Sequence, residues 1–60
     1  MLRVSTAKNI YVFEGDEVYY TYKKIIDGLD EIDEFVYIDS SEYGKLFLNK
    51  SQIISIEYKE

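Results

Sequence analysis

The sixty-residue chain contains no cysteine, histidine, proline or tryptophan, only three glycines, and one arginine, Arg3. Each absence closes a route. Without Cys there is no disulfide, and without Cys or His there is no zinc site of the usual kind, so two common staples of small domains are missing. The same absences remove Ser-His and Cys-His nucleophile-base pairs from the chain. Long apolar runs are also missing, none exceeding four residues, so the sequence supports neither a membrane span nor a signal peptide in MLRVSTAK. The expected compartment is the cytoplasm, with which the lack of Cys agrees. Positive charge is scarce: seven Lys and Arg against twelve Asp and Glu give a net charge of -5. Such a chain repels the phosphate backbone that dominates non-specific DNA affinity, so nucleic acid is not an expected partner.

What is present favours a folded domain. Hydrophobic residues make up 47% of the sequence, and seven residues are Tyr, whose rings bury much area while their hydroxyls need a partner or water. Residues 1–60 are read as one small domain. A domain of this size buries only about 60% of the surface its unfolded chain exposes. An efficient core or self-association, a homodimer in the simplest case, must therefore do what a staple would do.

The C-terminal third, Phe35 to Lys59, carries three short apolar runs, Phe35 to Ile38, Leu46 to Leu48 and Ile53 to Tyr58. The segments between them are polar and brief, which predicts a meander of strands. Gly44 is placed to take a positive φ in the first connection, and Asn49-Lys50-Ser51-Gln52 to form the second. In the last strand Ile54, Ile56 and Tyr58 share one face, expected to be the buried one. At the other end Leu2 and Val4 alternate with Arg3 and Ser5, which fits either a short first strand or a loosely held end. Ile10 to Glu14 and Glu17 to Tyr22 are β-branched and aromatic runs flanking Gly15-Asp16, which predicts a hairpin with Phe13 opposite Val18 and Tyr11 opposite Tyr20.

Between these regions the period changes. Tyr22, Ile25, Ile26, Leu29, Ile32 and Val36 recur at helical spacing with charged residues between them. The spacing predicts a short helix over Tyr22 to Asp30 with Thr21 as N-cap. Gly28 costs that helix about 1 kcal/mol relative to Ala. The fold class is therefore α+β, a small antiparallel sheet with one short helix in the order hairpin, helix, meander. The rival reading extends the strand through Ile26 and gives an all-β SH3-like barrel. The ending KLFLNKSQIISIEYKE is similar to the final strand pair of many small bacterial β-rich proteins, including LytTR-type DNA-binding domains. That resemblance implies that its two strands pair, and the acidic charge departs from what DNA binding requires.

No enzyme is expected. Five Ser residues remain, each explained by a turn or a strand face, and paired carboxylates would need a cleft for which sixty residues leave little room. The acidic run Asp27, Asp30, Glu31, Asp33 and Glu34 is the sharpest local feature. Gly28 and Leu29 stand where a calcium loop would place ligands, so no metal or cofactor is expected. The plain reading of the run is a solvated helix face and loop. The functional reading makes these five residues a partner-binding surface for a protein, since a dense acidic ridge docks a basic surface. An alternative is an inhibitor of the nucleic-acid-mimic type found among phage proteins. The aromatic residues are read as cross-strand packing, with an exposed subset available to a protein interface.

Overall fold

The computed structural model describes residues 1–60. Strands β1 (Leu2–Thr6) and β2 (Ile10–Phe13) are followed by helix α1 (Val18–Leu29), β3 (Phe35–Ser40), β4 (Gly44–Asn49), a 3-10 turn (Lys50–Gln52) and β5 (Ile53–Tyr58). The strands form two antiparallel sheets, β2-β1-β5 and β3-β4, and no closed barrel. The fold is thus a small α+β fold. Its core is Leu2, Val4, Phe13, Ile25, Val36, Ile38 and Leu48, drawn from both sheets and the helix. No helix is long and apolar enough to cross a membrane.

The N-terminal hairpin joins β1 to β2, with Leu2 opposite Phe13 and Val4 opposite Tyr11. Thr6 organises its turn: its hydroxyl donates to the Asn9 carbonyl at 2.9 Å and accepts from the Lys8 and Asn9 amides. The hairpin expected across Gly15-Asp16 is not formed. Gly15 does take a positive φ of 104°, but the chain leaves it into a helix that begins at Val18. The reason is visible in the spacing. Val18, Tyr22 and Ile25 lie at i, i+4 and i+7, so a helix turns all three toward the core, where Ile25 is buried and the others pack beside it. A strand over Glu17 to Tyr22 would need the outer edge of β2, since β1 holds the inner one, and that outer edge is taken by Tyr43 and Glu42.

The helix therefore starts a turn earlier than the spacing from Tyr22 predicts and ends at Leu29, with the Asp30 amide donating to the Asp27 carbonyl and the Glu31 amide to the Gly28 carbonyl, both at 3.2 Å. Thr21 is not its N-cap. Glu17 occupies that position without a side-chain bond, and the Thr21 hydroxyl donates to the Glu17 carbonyl. Ile32 lies beyond the helix and Val36 reaches the core from β3, so the predicted stripe spans two elements. Gly28 is explained by contact: a Cβ there would stand 3.0 Å from Val36 Cγ1, and glycine lets the helix close on β3.

The C-terminal meander is half formed. β3 and β4 pair as expected, with Val36 opposite Leu48 and Ile38 opposite Leu46, and Gly44 holds a φ of 72° at the turn. β5, however, leaves β4 and pairs with β1 in the other sheet. The Asn49 side chain accepts from the Ser51 amide and hydroxyl, and the Ala7 amide donates to the Gln52 carbonyl at 2.9 Å. These bonds turn the chain across to β1, whose second edge would otherwise be open. The strand pair implied by the resemblance of the ending is therefore absent. A bulge opposite Ser5 and Thr6 also changes the face assignment: Ile53 takes the inward place beside Thr6, and Ile54 is 72% exposed.

The two sheets are tied by Tyr43. Its hydroxyl accepts from the Val12 amide at 3.1 Å and donates to the Val12 carbonyl at 3.2 Å, while its ring meets Tyr11 and Phe13 edge-on. Glu42 accepts from the Glu14 amide beside it. The β3–β4 turn thereby covers the outer edge of β2.

Candidate functional site

The five acidic residues singled out from the sequence occupy one end of the molecule. Asp27 lies in the last turn of α1, Asp30 caps it, and Glu31, Asp33 and Glu34 lie in the connection to β3. All five are exposed. For Asp27 and Asp30 the negative end of the helix dipole is an unfavourable place, and no basic residue stands in the last turn to offset it. None of the five forms an ion pair, since the molecule's one salt bridge joins Arg3 to Glu57 at 3.4 Å.

Lys50 holds the loop by its backbone and leaves the carboxylates free. Its ammonium donates to the Glu31 carbonyl at 2.6 Å and its amide to the Glu34 carbonyl at 2.9 Å. The carboxylates do not converge: no group of three or more acidic side chains is placed to hold a metal ion. Asp27, Glu31 and Asp33 instead line a shallow groove of about 380 Å³ together with Lys24, Phe35 and Tyr37. Glu34 lines a second one with Ile32 and Lys50, and Glu31 and Asp33 border both. Asp30 lines neither.

Sequence reasoning missed the apolar half of this surface. Ile32, at the centre of the acidic loop, is 100% exposed. On the outer face of β3–β4, Tyr37 and Phe47 form a cross-strand pair with ring centroids 4.9 Å apart, and they are 54% and 65% exposed. Phe35 continues the row toward the loop and is also partly exposed. The alternation of Phe35 and Tyr37 against Val36 and Ile38 is plain in the sequence. Which face lies on the core is decided by α1 and β1, and the alternation alone does not reveal it.

Chemically, the arrangement has acceptors without a nucleophile-base pair beside them, and aromatic rings edged by carboxylates. No protein-family model matches the chain, and no curated protein or solved structure is similar enough to it to count as a match.

Proposed function

We propose that this chain is a non-enzymatic protein-interaction module that binds its partner through the outer face of β3–β4 and the acidic loop that leads into it. The observation that carries the reading is the row Phe35, Tyr37 and Phe47, exposed on the outer face of β3–β4, with Asp27, Glu31 and Asp33 edging its loop end and Ile32 fully exposed in that loop. Aromatic residues are enriched at protein interfaces, where a few central anchors supply most of the affinity and a charged rim sets partner choice. The complementary partner presents an apolar patch bordered by Lys and Arg. The lack of Cys suits a reducing compartment such as the cytoplasm.

The test is quantitative capture from native lysate, followed by titration of the recovered partner. Replacing Ile32 and Phe47 by Ser should weaken binding at least tenfold, as should reversing the charge of Asp30, Glu31, Asp33 and Glu34. A partner indifferent to both sets of changes would refute the proposed face. The nucleic-acid-mimic reading uses the same acids. A partner that responds strongly to charge reversal and to salt, but not to loss of the apolar side chains, would select it instead.

A further inference from the structure

The three-stranded sheet has two edges, and the fold treats them differently. The β2 edge is covered, with Tyr43 satisfying the Val12 amide and carbonyl and Glu42 the Glu14 amide. The β5 edge has no neighbouring strand, and an uncovered edge is a template for another chain. The phase of the β1–β5 ladder is set at its end, where the Met1 ammonium donates to the Lys59 carbonyl at 2.6 Å and the Lys59 amide donates to the Met1 carbonyl at 2.8 Å. In an antiparallel pair such exchanging residues alternate with non-exchanging ones. Lys59 and Glu57 therefore face β1, while Tyr58 and Ile56 direct their amides and carbonyls outward.

We propose that a second copy of this chain pairs with that edge, β5 against β5 in antiparallel sense, about a two-fold axis at Tyr58. Three features select this register. The outward groups require Ile56 or Tyr58 to take part in the exchanging pairs. The bulge at Ile53 to Ser55 disrupts that end of the edge, which removes the register centred on Ile56 because it would need Ile54. The register centred on Glu57 would set Glu57 directly opposite its own copy, a like-charge pair. The axis at Tyr58 instead sets Glu57 opposite Lys59 of the other copy twice over. It extends the Arg3–Glu57 pair to three charges of alternating sign on each side.

The inner face supports the same axis. Tyr58 stacks on Tyr22 of α1 at 4.4 Å, with Tyr19 at 6.4 Å and half exposed. Symmetry about Tyr58 would place this tyrosine cluster beside its own copy and shield rings that the monomer leaves partly in water. The chain offers no disulfide or metal for stability, and pairing would supply the buried surface that a core of seven residues lacks.

Sedimentation equilibrium on the full chain tests the proposal. The expected result is a dimer that weakens about tenfold in Lys59→Glu and in Glu57→Lys, since each change creates two like-charge pairs, and that recovers in the double variant. A synthetic chain carrying N-methyl-Ile56 should be monomeric with an unchanged circular dichroism spectrum, because that amide points away from β1. A chain that stays monomeric to about 1 mM would overturn the proposal. So would a dimer unaffected by N-methylation, and one blocked by it but insensitive to both charge reversals would overturn the Tyr58 axis.

Discussion

Two residues show how local rules yield to contact in this fold. At Gly28 an alanine would improve helix propensity by about 1 kcal/mol, yet its Cβ would lie 3.0 Å from Val36 Cγ1 and 3.1 Å from Cγ2. Val36 is buried and β-branched, with little rotamer freedom to give way. Gly28→Ala is therefore expected to destabilise by about 1–2 kcal/mol in urea unfolding, and adding Val36→Ala should cost less than the sum of the single changes. A more stable Gly28→Ala protein would show that helix and strand part easily. At Tyr58, burial foremost, then the Glu60 carboxylate and the Tyr19 and Tyr22 hydroxyls, holds the phenol above its ordinary value. A raised folded-state pKa means that the stabilisation is complete below the ordinary phenol value of about 10 and is lost as pH rises through the folded one. Melting temperature should accordingly fall above about pH 10, in step with phenolate absorbance, and Tyr58→Phe should remove part of that fall.

At the level of elements, the strands were more legible than their partners. Leu2 to Thr6, Phe35 to Ser40, Gly44 to Asn49 and Ile53 to Tyr58 all show their alternation or their turn residues openly. The pairing of β5 with β1 spans nearly the whole chain; the local turn at Asn49 redirects the strand, but the open edge of β1 that receives it, and the Ala7 bond to Gln52, lie far away in sequence. Val18 to Tyr22 reads as strand by composition and folds as helix because its i, i+4, i+7 positions meet a core made by distant residues. The acidic residues of the candidate site could be named from sequence, since five fall within the eight positions from Asp27 to Glu34 with no basic residue among them. Its aromatic row could not, because exposure of Phe35, Tyr37 and Phe47 depends on which face the helix covers. Tyr43 is the clearest joint between elements. Tyr43→Phe keeps the ring contacts with Tyr11 and Phe13 and deletes both bonds to Val12, so a loss of about 1–2 kcal/mol is expected. Amide exchange should accelerate at Val12 more than at β1, and an unchanged rate there would mean that the hydroxyl bonds contribute nothing to the edge.

For the molecule as a whole, sixty residues with seven in the core leave a narrow margin of stability. If the β5 edges pair, the melting temperature should rise with protein concentration, as mass action requires. The junction of Met1 with Lys59 has a mechanical consequence. β1 and β5 run antiparallel with these ends side by side, so tension applied between residues 1 and 59 opens the ladder one bonded pair at a time, like a zip. Tension between residues 1 and 52 pulls the same two strands lengthwise and loads their bonds together. Since the chain has no cysteine of its own, handles can be attached through single introduced cysteines at either pair of positions. Optical-tweezers traces should show yielding at distinctly lower force in the first geometry than in the second. Equal forces would place the mechanical weak point elsewhere than in the β1–β5 ladder. With unequal forces, the same protein is soft or stiff according to the direction from which it is drawn.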